Sequence, residues 1–182
     1  ADGLVAVELS WQMGHLQQPR LLSPSDARPE QMALPRLVDP HVHLDKAFTW
    51  DRAPNFAGTY DAALTANFQE HQSRTFESVR ERGERGLRLA CANGLRALRS
   101  HIDSVGPGAS ASWSALLDPR RSWRDRISLQ LVALAPLDHW STEEGQQLAA
   151  DVAAAEGLLG GVLVPPFSSS SVRCQLRSLL DL

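Results

Sequence analysis

The chain has 182 residues, of which 43% are hydrophobic and 21% charged, a composition typical of a globular protein that buries a core. Its formal net charge of −3 gives no strong basic field, so we expect no nucleic-acid partner. No apolar run reaches the ~20 residues of a membrane span and no signal-peptide pattern is present. We therefore expect no membrane partner and a cytoplasmic location, where Cys91 and Cys174 remain free thiols.

Residues 1–35 predict a small β segment. The apolar run at 4–9 predicts a strand, and residues 11–16 are its expected partner. Repeated prolines from Pro19 to Pro35 make a helix unfavourable in this part of the chain. We therefore separate residues 1–35 from residues 36–182, where predicted strands alternate with helices.

The stretch that begins at Leu37 predicts a short buried strand with two histidines near its end. His41 and His43 are two residues apart, so their side chains leave a strand on the same face. Ligands of parallel α/β folds gather at this end of the strands. Two converging imidazoles predict a divalent metal site. The alternative is a pair of surface or core histidines without a metal.

Two more polar residues are spaced an even number of residues from the two histidines. Asp39 and Asp45 are expected on the face of His41 and His43, and buried polar side chains need partners. A long connection over residues 44–68 follows. It is either a wall or lid over a substrate or an ordinary packed loop.

A helix is predicted from Phe68 to Cys91, ended by Asn93 and Gly94. The second strand is expected at residues 95–102. His101 and Asp103 share one face at its end and are candidate pocket residues. The alternative is a core histidine hydrogen-bonded to Asp103 or to the backbone.

The rest of the pattern continues the alternation of helices and strands. Phe167 follows the fourth predicted strand and is a candidate substrate contact. The serines at 168–171 either donate hydrogen bonds to an anion or a base edge or form a flexible loop. The elements expected here are a short helix at 113–117, a strand at 127–136, a helix from an N-cap at Ser141 to Leu159, a strand at 162–164 and a helix from Arg173.

Two motifs resemble the amidohydrolase superfamily. The segment from Pro35 to Phe48 resembles its first-strand signature, and the form from Asp39 to Phe48 is most similar to cytosine deaminases and their relatives. The segment from Arg99 to Asp103 resembles the second-strand motif of the same group. The family usually has Gly where Arg36 stands, so the turn into the strand is expected to differ.

The resemblance implies a fold and a site. It implies a small β-sandwich that includes residues 1–35, a TIM (β/α)8 barrel, and one divalent metal ion, Zn or Fe, held by His41 and His43. It places His101 at the active site, and Asp103 and Phe167 are the other candidate substrate contacts. The general acid and base and the other ligands, from later strands, fall beyond residue 182. The predicted fourth strand has no Lys to bridge two metals, which favours the single-metal branch.

A closed barrel of this type needs ~250 residues, so we expect residues 36–182 to be the first four βα units of an α/β barrel. Such a half leaves the edge strands of its sheet unpaired and one apolar face exposed to water. Either a C-terminal half is missing from this sequence or two halves associate as a homo-oligomer. A smaller open α/β sheet is the third alternative.

The predicted function is hydrolytic deamination of a cytosine-like base or related N-heterocycle, a small-molecule substrate, by a metal-dependent amidohydrolase. One alternative is hydrolysis of a cyclic or exocyclic amide by the same superfamily. Another is a truncated, catalytically inactive fragment that acts as a folding or interaction module. We expect the 182-residue chain alone to be inactive, because the resemblance places catalytic groups beyond it.

Overall fold

A computed structural model describes residues 5–23, 31–163 and 165–182. The chain divides into two compact units, Ala1–Pro35 and Arg36–Leu182. Positions 4, 24, 29 and 164, which contribute to the predicted elements above, lie outside the described residues.

The first unit contains two small antiparallel pairs of strands. Strand β1 (Val7–Glu8) pairs with β4 (Arg20–Leu21), and β2 (Trp11–Gln12) pairs with β3 (His15–Leu16). The prediction that residues 11–16 pair with the first strand is wrong. Met13 and Gly14 have φ values of 50° and 79°, and this left-handed turn folds the segment onto itself.

The second unit is an α/β half-barrel built on one curled parallel sheet. Its four strands lie in the order β5-β6-β7-β8, so each strand pairs with its neighbour in sequence. Helices connect them, as parallel strands require. The carboxyl ends of the strands therefore meet at one edge. The strands are β5 (Leu37–Val42), β6 (Leu95–Asp103), β7 (Ser128–Pro136) and β8 (Leu158–Val162).

Five helices are assigned in the described part of the second unit, and none of them is long and apolar enough to cross a membrane. Two short 3-10 turns, Leu44–Lys46 and Leu137–Ser141, follow β5 and β7. The helices are α1 (Tyr60–His71), α2 (Phe76–Ala92), α3 (Ala109–Ser122), α4 (Glu143–Ala154) and α5 (Ser170–Leu180).

The expected single helix after the first strand is two helices. Thr75 begins α2 with a capping box, in which its Oγ1 accepts from Ser78 N and the Ser78 Oγ accepts from Thr75 N, each at 3.2 Å. Thr59 is the N-cap of α1, where its Oγ1 accepts from Ala62 N without a reciprocal bond in the described residues. The connection expected over 44–68 is therefore shorter, because α1 already starts at Tyr60.

Helix α3 is longer than the predicted piece at 113–117. It continues through the buried Pro119, which the sequence indicated as its end. Gly83 of α2 faces this helix, and a Cβ built there would lie 2.7 Å from Leu116 Cδ2. The close approach of α2 and α3 buries Pro119 and Leu116, and this packing keeps the proline within the helix.

The boundaries near α4 and β8 also differ from the prediction. Thr142, not Ser141, is the N-cap, because its side chain accepts from Gly145 N at 3.0 Å. Helix α4 ends at Ala154, and Gly160 lies inside β8 instead of ending the helix. A Cβ at Gly160 would lie 2.7 Å from Val132 Cγ1, so the strand needs a glycine for this close approach.

The core lies between the outer face of the sheet and helices α2 and α3. Its centre is fully buried and is formed by Val79, Leu87, Ile102, Leu116, Ile127 and Leu131. A second cluster surrounds Trp140, whose Nε1 donates to the Gly160 carbonyl at 3.1 Å. This core fixes the strand ends that carry the candidate site.

Replacing Thr75 with alanine is expected to lower the free energy of unfolding by about 0.5–2 kcal/mol, because it removes the N-cap acceptor of α2. Urea denaturation would measure the change. Thr65→Ala is the matched control, since the Thr65 hydroxyl bonds only within α1, to the Asp61 carbonyl. Equal losses in both variants would contradict the capping argument.

Candidate metal centre

Two histidine nitrogens converge at the end of β5. The Nε2 atoms of His41 and His43 lie 3.3 Å apart, with the two rings edge to face. Two nitrogens at this separation can both reach one zinc ion at a bond length of about 2.0–2.1 Å, near the tetrahedral angle. The pair therefore fits a divalent metal as two of its ligands.

A hydrogen bond sets the tautomer of His43. Its Nδ1 lies 2.8 Å from the carbonyl oxygen of His101, and a carbonyl only accepts, so Nδ1 carries the hydrogen. The lone pair then remains on Nε2, which faces His41. Burial, followed by the positive charge of Lys46, lowers the pKa of His43. Both effects favour the neutral imidazole that a metal needs.

His101 lies against the same pair. Its ring stacks on His41 with centroids 4.0 Å apart. Burial, then the neighbouring His41 and His43, lowers the pKa of His101. Phe167 is 61% exposed in the segment after β8. In the part of the chain that the structure describes, Phe167 makes no ring contact with these histidines.

Among residues 5–23, 31–163 and 165–182, no group of three or more His, Cys, Asp or Glu side chains is arranged to hold a metal ion. Those residues thus offer His41 and His43 as a pair of converging nitrogen donors.

The two aspartates expected beside the histidines have other partners. The Asp39 Oδ1 accepts a hydrogen bond from the backbone nitrogen of His41 at 3.1 Å. Asp45 lies in the 3-10 turn after the strand, where its buried carboxylate pairs with Arg74 at 2.9 Å. The expectation that Asp45 shares the face of the histidines is wrong, because the strand ends at Val42 and its alternation ends there too.

Arg74 lies at the centre of a buried polar cluster. Its side chain is 0% exposed, and it donates to Asp45, Glu70, Asn67 and Asp103. Burial alone would lower the pKa of Arg74, but the carboxylates of Asp45, Glu70 and Asp103 raise it. Conversely, burial and then Asp103 raise the pKa of Asp45, against the opposing charges of Arg74 and Lys46.

Both oxygens of Asp103 are occupied. Oδ1 accepts from Lys46 Nζ at 2.6 Å, and Oδ2 accepts from Asn67 Nδ2 at 3.1 Å and Arg74 Nη2 at 3.3 Å. Burial by itself would raise the pKa of Asp103. The charge and hydrogen bond of Lys46, then Asn67 and Arg74, hold it below its ordinary value.

Asp103→Asn is expected to reduce the loss of stability in acid. Because the pKa of Asp103 is lower in the folded protein, its contribution is present above the unfolded value of about 3.9 and is lost as the pH falls through the folded value. The free energy of unfolding, measured by urea titration from pH 6 to pH 2, should fall less in the variant. The exposed Asp151→Asn is the control and should follow the unmodified protein.

No family model matches the chain. A pterin deaminase of Rhizobium rhizogenes is 38% identical over 146 residues, which cover 79% of this chain and 33% of the relative. An N-isopropylammelide isopropyl amidohydrolase of a Pseudomonas species is 27% identical over 119 residues, covering 63% of this chain and 30% of that protein. The predicted resemblance to cytosine deaminase-like amidohydrolases is confirmed.

Two solved structures share the fold of this chain. The 5-methylcytosine deaminase of Klebsiella pneumoniae liganded with 5-fluorocytosine superposes with a TM-score of 0.77 at 23% identity, covering 99% of this chain and 46% of that one. The N-isopropylammelide isopropylaminohydrolase of Burkholderia multivorans gives 0.63 at 21% identity, covering 96% of this chain and 46% of its own. This chain spans about a third of the length of the curated relatives and under half of the length of the solved structures that it matches.

Proposed function

We propose that this chain contributes the first two metal ligands, His41 and His43, of a metal-dependent hydrolase that removes the amino group of an N-heterocycle. The observation that carries the proposal is the pair of Nε2 atoms 3.3 Å apart, with His43 held in its metal-binding tautomer by the His101 carbonyl. The similarity to a pterin deaminase supports the choice of reaction.

The chain's own residues prepare the site for one divalent ion, zinc or iron. A bound metal of this kind lowers the pKa of its water towards ~7 and so supplies hydroxide at neutral pH. His41 and His43 would hold the ion through their Nε2 atoms. The net reaction consumes one water, replaces the ring amino group by a carbonyl oxygen and releases ammonia.

The proposed substrate is cytosine-like or a related planar N-heterocycle. The relatives and structural neighbours are named for pterin, N-isopropylammelide and 5-methylcytosine. His101 is the best placed of the proposed substrate contacts, since its ring stacks on His41. Asp103 is proposed to act at the edge of the site with Lys46, and Phe167 from the segment after β8.

The test uses the full-length natural protein, whose intact mass is measured first. Metal content is then measured, together with the release of ammonia from cytosine and a pterin and of isopropylamine from N-isopropylammelide, before and after chelation. The proposal expects stoichiometric metal and chelator-sensitive ammonia release from at least one substrate. Chelator-sensitive opening of a cyclic amide, without release of ammonia or amine from any of these bases, would favour the amide-hydrolase alternative. Metal-free protein without either activity would refute the proposal and favour the inactive-module alternative.

A further inference from the structure

Side-chain contacts continue the pairing of β5 and β6 beyond the end of the strand ladder. The last backbone register pair is Val42 with Ser100. After it, the turn at residues 43–46 is joined to residues 100–103 by four contacts. These are His43 Nδ1 to the His101 carbonyl at 2.8 Å, Leu44 N to Ser100 Oγ at 3.0 Å, Asp103 N to Asp45 Oδ2 at 3.1 Å and Lys46 Nζ to Asp103 Oδ1 at 2.6 Å.

Arg74 joins the two sides of this junction from the break between α1 and α2. Its Nη1 donates to Asp45 Oδ2 at 2.9 Å, and its Nη2 donates to Asp103 Oδ2 at 3.3 Å. One planar guanidinium thus holds the turn after β5 and the end of β6 together. The single point charge of a lysine cannot reproduce this two-pronged arrangement.

The charges explain why the junction depends on this residue. The side chains of Asp45 and Arg74 are both 0% exposed, so water does not screen the carboxylate. Without the guanidinium, Asp45 would be an unpaired buried charge beside a second carboxylate, Asp103. Lys46 balances the charge of Asp103 through an ion pair with its Oδ1. In the described residues it has no hydrogen bond to Asp45. Separation of the two carboxylates would move the turn that begins at His43.

We propose that Arg74 is a positioning residue for the metal centre. By holding Asp45 against the end of β6, it keeps His43 within hydrogen-bond distance of the His101 carbonyl and so selects the Nδ1–H tautomer. The metal-binding consequence of this inference rests on the function proposed above. The tautomer itself is a property of the metal-free protein and can be tested independently.

The test compares Arg74→Met and Arg74→Lys with Arg80→Met in the full-length protein. Arg80 is the matched control, since it lies on α2 and forms an exposed ion pair with Asp118 of α3. Nitrogen-15 NMR of the metal-free protein reports the His43 tautomer. Zinc titration and the visible spectrum of the cobalt form report the centre. Circular dichroism confirms folding, and Asp45→Asn replaces Arg74→Met if that variant does not fold.

We expect the control to keep one Nδ1–H form of His43 and the affinity of the unmodified protein. The folded Arg74 and Asp45 variants should show mixed tautomers, zinc binding weaker by about 10–100-fold, and an altered cobalt spectrum. Arg74→Lys should recover only part of the loss. Folded variants with an unchanged tautomer and affinity would overturn the inference. Mixed tautomers in the variants, with no zinc or cobalt uptake by the unmodified protein, would refute the proposed function while supporting the positioning role.

Discussion

Replacing His41 and His43 together with alanine is expected to abolish metal retention by the full-length protein. The two Nε2 atoms are the converging donors at the end of β5, and no group of three candidate ligands occurs among the described residues to replace them. Each single substitution should also weaken binding strongly, since one imidazole cannot chelate alone. Metal content after dialysis and competitive zinc titration would measure both effects.

The matched control for this experiment is His15→Ala. His15 lies exposed in the β2–β3 hairpin of the first unit, so its loss removes an imidazole without touching the pair. Circular dichroism would show that the double variant keeps its fold. Full metal occupancy in a folded His41→Ala, His43→Ala protein would mean that the histidine pair is not the metal site.

The sequence was most informative where a local pattern determines local geometry. The two-residue spacing of His41 and His43 predicted side chains on one face, and their Nε2 atoms do meet. The near-continuous apolar run of β7 predicted a parallel strand covered on both faces. One face is buried throughout, at Leu129, Leu131, Ala133 and Ala135, whereas on the other face Val132 is buried but Gln130 is exposed. Strand alternation explains the buried face of β7. His43, however, follows the last residue of β5, Val42, and the hydrogen bond of its Nδ1 to the His101 carbonyl also orients its ring.

Element boundaries were harder to predict because glycine and proline have more than one structural use. Gly160 indicated the end of a helix, but it lies in β8 because its backbone approaches Val132. Pro119 indicated a helix end, yet packing against α2 retains it within α3. In both positions a tertiary contact overrides a local preference, and such contacts are not visible in a single sequence.

The cluster around Arg74 was missed for a related reason. Arg74 lies between two helices in a segment without hydrophobic periodicity, and its partners Asp45 and Asp103 are 29 residues away on either side. One available signal was the excess of polar residues after the strand, since Asp45 needed a partner in the interior. The sequence indicated that requirement but not which cation meets it.

Glu70→Leu is expected to lower the free energy of unfolding by about 3–5 kcal/mol, the usual cost of removing one partner from a buried ion pair. Glu70 is almost fully buried, and its carboxylate accepts from Arg74 Nε at 2.6 Å and from Arg82 Nη1. The substitution leaves Arg82 without an anionic partner and Arg74 with two of its three carboxylates. Urea denaturation at neutral pH would measure the change.

A second substitution separates the cost of an unpaired charge from the value of the pair. Glu70→Leu with Arg82→Leu removes the Arg82 charge as well, and apolar side chains of similar volume often replace a buried pair with little loss. The double variant should therefore recover part of the stability that Glu70→Leu loses. Asp118→Asn, which removes the exposed partner of Arg80, should change stability far less than Glu70→Leu. A double variant less stable than Glu70→Leu would show that Arg82 stabilises the protein through contacts other than Glu70, such as its bond to the Ser78 carbonyl.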